Sequence, residues 1–480
     1  MTDYDKLYLG GAWQPPSSAA RITVVSPSTE QRLGSVPEAI EADIDAAVEA
    51  ARAAFDDPAG WPAWEPARRA EVMERLADEL DKRAAAIAQL VSSQNGMPVA
   101  VSGALEAAFP QLLLRYYAGL ARNTSADEER PGLLGGSTLV RRQPVGVCAA
   151  IVPWNFPQAL AAFKYAPALA AGCTLVIKPS PETVLDSYLL AESLEAAGVP
   201  AGVINIVPAG REVGAYLVRH PGIDKVAFTG STAAGRSVAE VCGRLLRPVT
   251  LELGGKSAAI ILEDATLDLA AIGEKLFGSV FLNQGQACYL GTRVLAPRSR
   301  YDEVVDLLTT FASVLKVGDP LDPATQIGPM ASERQRDRVE GYIAKGKSDG
   351  ARVTIGGGRP AGLERGFYVE PTVFADVDNG WTIAQEEIFG PVLSVIGYDD
   401  EAEAIAIAND SGYGLGGSVW TSDHDRGLAV AKQVRTGTIG INGYMPDPTA
   451  PFGGVKASGL GRELGPEGLA AYQVLQSVYL

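Results

Sequence analysis

Between residues 141 and 255 the chain alternates between two textures, and this alternation constrains its fold more than any other feature. Five short apolar runs end in "AAIVP", "LVIKPS", "INIVPAG", "KVAFTGS" and "VTLELGG". Between them lie four stretches with helical spacing: "QALAAFKYAPALAAG", "TVLDSYLLAESLEAAG", "REVGAYLVRHPG" and "AAGRSVAEVCGRLL". Strands this apolar must be covered on both faces, and a helix between successive strands makes them parallel. The expectation is an α/β protein built on a doubly wound parallel sheet, its first strand at 145–152. Ligands of such sheets bind beyond the carboxyl ends of the strands. Those ends carry Trp154 and Asn155, Lys178, Gly210, Gly230 and Ser231, then Glu252, Leu253 and Gly254.

A chain of 480 residues is too long for one ordinary core, so two or three domains are expected. Ahead of the sheet, 44–55 and 66–95 read as two long amphipathic helical patterns. After Gly255 a second α/β pattern begins, with the helical "YDEVVDLLTTFASVL" and the strand-like "ARVTIGGG" and "EEIFGPVLSVIGY". The chain closes on a glycine-rich loop, a short helix and the strand-like "QSVYL", which must pair elsewhere in the chain or in another subunit. With 41 basic and 57 acidic residues, a net charge of −16 and no Lys/Arg stripe, nucleic acid and anionic membrane are not expected partners. The apolar stretch 159–177 is broken by Lys164, Tyr165, Pro167 and Gly172, so it reads as helix and strand rather than a membrane span. No secretory signal is read at the N-terminus. Four unpatterned cysteines point to a reducing compartment, by default the cytoplasm.

Three of those cysteines, Cys148, Cys173 and Cys242, sit among alanine, valine and glycine, whereas Cys288 lies in "LNQGQACYLGTR". The two histidines, His220 and His424, occupy polar turns, and no cysteine pair has ligand spacing, so neither a metal site nor a Cys–His pair is expected. A thiol can act without histidine when the oxyanion it creates meets preorganised donors. Asn155, in "PWNFP", offers a side-chain amide, and the Cys288 N–H offers a second donor; taken alone, "PWNFP" could equally be a rigid turn. Glu252 ends an apolar strand, where an ionised carboxylate is costly; it is either salt-bridged or raised in pKa, which suits a general base acting on water. The turn in "FTGSTAAG" either offers backbone N–H groups to a pyrophosphate or merely joins a strand to a helix. It lacks the full G-x-G-x-x-G fingerprint.

Taken together, "PWNFP" (153–157), "KPSP" (178–181), "FTGST" (228–232), "LELGGKS" (251–257), "GQAC" (285–288), "EEIFGPV" (386–392) and "PFGGVKASGLGRE" (451–463) closely resemble the aldehyde dehydrogenase superfamily, in the family's order and over most of the chain. The resemblance implies a Rossmann-like dinucleotide-binding domain (1–122 and 143–253), an α/β catalytic domain (254–444) and a small β oligomerisation arm (123–142 with 460–480). It also implies a homodimer or homotetramer.

By the same resemblance, Cys288 is the nucleophile, adding to an aldehyde as a hemithioacetal that becomes a thioester. Asn155 and the Cys288 N–H form the oxyanion site, Glu252 activates the hydrolytic water, and Glu463 is a second carboxylate in a proton relay. Gly230 and Ser231 match the pyrophosphate turn, with Trp154, Gly210 and Leu253 nearby. Lys178 matches the adenosine-ribose ligand, and Glu387 with Phe389 the nicotinamide-ribose clamp. One departure matters: where many NAD-using members carry a ribose-binding glutamate, this chain has Pro181, followed by Glu182. NAD is the expected cofactor, with NADP left open by that proline. The tunnel positions Phe156, Leu160, Phe163, Ala287, Tyr289 and Phe452 are apolar or aromatic and lack an arginine, so a medium or bulky hydrophobic aldehyde is expected. The competing activities are CoA-acylating oxidation, which Glu252 argues against, and hydrolysis of activated esters without a nucleotide, which the cofactor motifs argue against. A third is a binding protein descended from an enzyme, which the retained Cys288, Glu252 and Asn155 argue against.

Overall fold

The structure, a computed structural model, describes residues 2–480. All five expected strands form, at Val147–Ile151, Thr174–Lys178, Ile204–Ile206, Lys225–Thr229 and Val249–Glu252, and they pair in parallel. The first is shorter than 145–152 because the Val145 N–H donates to Tyr472 O (2.9 Å), leaving the sheet for the C-terminal segment. The four helices between them are Pro157–Ala171, Asp186–Ala196, Arg211–Arg219 and Thr232–Arg244. The first starts on a proline with no N–H to leave unpaired and stops at Gly172, whose φ of 93° ends the helix. Ser231 caps the last, its Oγ accepting the Ala234 N–H (3.3 Å).

In space these strands run 249–252, 225–229, 147–151, 174–178, 204–206. The strands Leu7–Leu9 and Ala12–Gln14 extend one edge antiparallel, and Gly459–Leu460 caps the other by pairing antiparallel with Leu251 and Glu252. A second, seven-stranded sheet holds Ala258–Ile261 between Arg293–Pro297, its central strand, and Gly417–Trp420. A third, three-stranded sheet joins Asp127–Pro131, Ser137–Pro144 and Gln473–Tyr479, so the terminal strand pairs within its own chain.

The 66–95 pattern is two helices, Pro66–Lys82 and Ala84–Asn95. The break falls at Arg83 (φ −103°, ψ 3°), whose N–H tightens the last turn onto Leu80 O (3.0 Å). The change of direction keeps Leu76, Leu80, Ile87 and Val91 in one core. Among the described residues, no helix is long and apolar enough to cross a membrane.

Candidate active site

Chain order along the first sheet reverses between Val147–Ile151 and Lys225–Thr229, and a cleft of about 470 Å³ opens at that point. Trp154, Gly230, Ser231 and Leu253 line one side, with Glu387 and Phe389, from the loop before the strand Val392–Tyr398, opposite. The N-terminus of Thr232–Arg244 meets it, with first-turn N–H groups and the positive end of the helix dipole. The Trp154 and Phe389 rings meet edge to face (5.4 Å, 85°). Phe389 has a φ of 62°, held by Gln335 Nε2 donating to its carbonyl (2.7 Å), while Arg338 Nη2 donates to Glu387 O (2.6 Å). Glu387 accepts the Gly255 N–H (3.0 Å), and burial pushes its carboxyl up to about 7. A helix N-terminus, two aromatic faces and a carboxylate around a cleft of this size fit a dinucleotide.

Lys178 and Gly210 stand together but do not line that cavity. The Lys178 Nζ donates to Pro179 O and Ala209 O (both 2.8 Å), and burial lowers its pKa to about 8. Pro181 opens a 3₁₀ turn, and the Glu182 carboxylate accepts from Ser180 Oγ (2.6 Å) and Arg334 Nη2 (3.2 Å).

Cys288 follows a strained turn. Asn283, Gln284 and Gly285 have φ of 51°, 46° and 77°, a run that non-glycine residues adopt only at a cost of about 1–2 kcal/mol each. Tertiary contacts hold it there. Asn283 Nδ2 donates to Asn155 O (3.0 Å), Gln284 Nε2 to Gly96 O (2.9 Å), and Gln286 Oε1 accepts the Ala331 N–H (3.1 Å). The Asn155 side chain, 5% exposed, donates through Nδ2 to Gln286 O (2.9 Å), which fixes its amide two residues from the thiol. The glycines after Glu252 complete the approach. A Cβ on Gly254 would lie 2.4 Å from Glu387 Oε2, and one on Gly255 2.3 Å from Cys288 O. Burial, then the Glu387 and Glu252 carboxylates, push the Cys288 thiol well above its ordinary range, so it rests protonated.

On the far side of Cys288 is a narrow tunnel. Phe156, Leu160, Phe163, Ala287, Tyr289 and Phe452, all expected there, line it, together with Asn155, Thr229 and Glu252. Cys288, Asn155 and Thr229 border both this tunnel and the cofactor-side cleft. Phe452 meets Phe163 (6.1 Å) and Tyr289 (6.5 Å) edge to face. Parallel register sets Thr229 beside Glu252, whose two carboxylate oxygens are buried without a protein hydrogen-bond partner. Glycine at 453 makes room for them, since a Cβ there would lie 2.5 Å from Glu252 Oε1. Burial and then the Glu463 carboxylate hold the Glu252 carboxyl well above the usual range. Glu463 accepts from the wholly buried Lys164 Nζ (2.8 Å), which also donates to Thr229 Oγ1 (2.6 Å). Lys164 thus joins the half-buried Thr229 to Glu463, whose carboxylate acts on Glu252 through its charge without a hydrogen bond between them.

Sequence reasoning missed Lys164 and Thr229, the cleft residues Arg334, Gln335 and Arg338, and the tunnel's Leu105, Phe109, Met445 and Pro446. Only Lys164 had a local signal: a lone cation in an otherwise apolar helix needs a buried partner.

A two-sheet α/β body with one thiol set between a dinucleotide-sized cleft and an apolar tunnel is the frame of a nucleotide-linked enzyme of small molecules. The sequence profile of the aldehyde dehydrogenase family matches residues 13–478, and the chain belongs to that family. It is 58% identical, over 100% of its length and 99% of the relative's, to a geranial dehydrogenase of Castellaniella defragrans. An aldehyde dehydrogenase of Mycobacterium tuberculosis solved with NAD⁺ superposes with a TM-score of 0.97 at 52% identity, covering 100% of this chain and 98% of that one. Aldehyde dehydrogenase C of Pseudomonas syringae, solved with NAD⁺ and octanal, gives 0.95 at 40% identity, covering 99% and 96%.

Proposed function

We propose that this protein oxidises a hydrophobic aldehyde to its carboxylic acid, using NAD and covalent catalysis by Cys288. The observation that carries this is the position of Cys288, bordering the cleft on one side and the apolar tunnel on the other. Trp154, Gly230, Ser231, Leu253, Glu387 and Phe389 would hold NAD, with Lys178 and Gly210 at the ribose end, and the cofactor would supply the hydride acceptor. The Cys288 sulfur adds to the aldehyde carbon as its proton passes to water, and the oxyanion takes hydrogen bonds from the Asn155 amide and the Cys288 N–H. Collapse of the hemithioacetal expels hydride and leaves a thioester on Cys288. Glu252, ionised, takes a proton from the water that attacks the thioester; the acid leaves and Cys288 is released as thiolate, which regains its proton from water. Glu463, through Lys164, carries the proton onward.

Apolar tunnel walls without an arginine, a geranial dehydrogenase relative and a relative solved with octanal support a terpenoid, aliphatic or aryl aldehyde. Relatives solved with NAD⁺ support NAD. Pro181 removes a carboxylate that would repel the extra phosphate of NADP, so kcat/KM is to be compared with both; a clear NADP preference contradicts this choice. The dinucleotide-binding domain takes 1–122 and 143–253 and the catalytic domain 254–444; of 123–142 with 460–480, the strands Asp127–Pro131, Ser137–Pro144 and Gln473–Tyr479 form an arm that joins homodimers or homotetramers. Four free cysteines support a reducing, cytoplasmic setting.

NADH formation across an aldehyde panel tests the proposal. Geranial, octanal and aryl aldehydes are expected to exceed succinic semialdehyde in kcat/KM, and Cys288→Ala to abolish turnover. Normal turnover by Cys288→Ala, or a preference for succinic semialdehyde, contradicts it.

A further inference from the structure

The helix Pro157–Ala171 begins without a cap of its own. Phe156 at the N-cap has no side-chain acceptor and Pro157 has no N–H, so the Gln158 and Ala159 N–H groups are the first-turn donors needing partners. Both find them on Glu106, at the end of the helix Val99–Leu105: Oε2 accepts from Gln158 (2.7 Å) and Oε1 from Ala159 (3.4 Å). Glu106 is 0% exposed; burial pushes its carboxyl well above the usual range, against the two N–H groups and the helix dipole, which favour its charge. The Gln158 side chain adds a second tie, Nε2 to Asp186 Oδ2 (2.6 Å). Asn155 and Phe156 lie immediately before this first turn, and Leu105, next to Glu106, lines the tunnel. Glu106 itself lines neither cavity.

We propose that Glu106 is a positioning residue. By capping this helix from outside, it holds the Asn155 amide against the Cys288 loop and locks the Leu105 wall of the tunnel to the helix that carries Phe156 and Leu160. This rests on Asn155 serving as oxyanion donor. Without the cap the first turn loosens and the amide shifts, and a displacement of about 1 Å at a reacting centre costs about 100-fold in rate. The thiol itself stays in place.

Two reactions of Cys288 separate these effects. Alkylation by iodoacetamide expels iodide and builds no oxyanion; acylation by p-nitrophenyl acetate passes through one before p-nitrophenolate leaves. Glu106→Gln is expected to lower acylation by about 10- to 100-fold, with alkylation and Tm nearly unchanged. Asn155→Ala is run in parallel and is expected to lose acylation too. If Asn155→Ala acylates normally, the oxyanion role of Asn155 is wrong. If it does not but Glu106→Gln does, the positioning role of Glu106 is wrong, as it also is if alkylation and acylation fall together. Should Glu106→Gln not fold, Glu106→Asp, which withdraws the same carboxylate by one methylene, is read in the same way.

Discussion

Glu252 has two buried oxygens that no protein donor satisfies, beside a thiol and at the end of a strand where sequence alone would place an apolar residue. Under the proposed function such a group is kept for chemistry rather than stability. Glu252→Gln is expected to keep the first turnover of NADH but to lower the steady-state rate by about 100-fold or more, the scale of a lost general base. The sign with pH follows from the raised pKa. Glu252 acts only when ionised, so parent turnover climbs as pH rises through that value, and Glu252→Gln flattens this limb. Stability runs the other way: a carboxyl raised in the folded state is accommodated when protonated and becomes a burden once ionised. The melting temperature of Glu252→Gln relative to the parent should therefore gain most at alkaline pH; a gain confined to acid pH contradicts this. Cys288, Glu252 and Asn155 were legible because each is an unusual residue for its setting. The roles of Lys164 and Thr229 were not, because they lie in distant contacts: Lys164 with Glu463, 299 positions away, and Thr229 with Lys164, 65 positions away.

At the scale of elements, the turn at Asn283–Gly285 decides where the thiol points, and its left-handed run is held from outside by side chains and close backbone contacts. A Cβ on Gly285 would lie 2.0 Å from Gly390 O, on backbone that cannot swing aside. Gly285→Ala is expected to cost about 2–4 kcal/mol in a denaturant melt and to depress activity beyond the loss of folded protein. A change within about 0.5 kcal/mol would contradict the strain argument. The strands and helices around the cleft were legible from period and punctuation, since each fixes its own local pattern. The helix Glu333–Asp349 reads as a polar surface helix, and nothing local marks Arg334, Gln335 and Arg338, which its first two turns bring to the cleft.

For the whole molecule, the parallel sheet and the place of its ligand cleft follow from the alternation of strands and helices. The short antiparallel strand Gly459–Leu460, which brings the segment carrying Glu463 against Glu252, does not, because its partner lies more than 200 residues away. The three-stranded arm exposes Leu133, Leu134, Leu475 and Tyr479, an unusual amount of apolar surface for a lone chain. Deleting 473–480 removes one of its strands and is expected to shift the mass measured by light scattering from an oligomer to a monomer. An unchanged oligomer would place the interface elsewhere. The central claim is that Cys288 receives the substrate carbon and Glu252 releases it. The most direct measurement is intact and peptide mass spectrometry of Glu252→Gln incubated with NAD and a hydrophobic aldehyde. The account predicts an adduct of the aldehyde's mass less two hydrogens, on Cys288, formed only with NAD present; an adduct on another residue, or none while NADH forms, would contradict it.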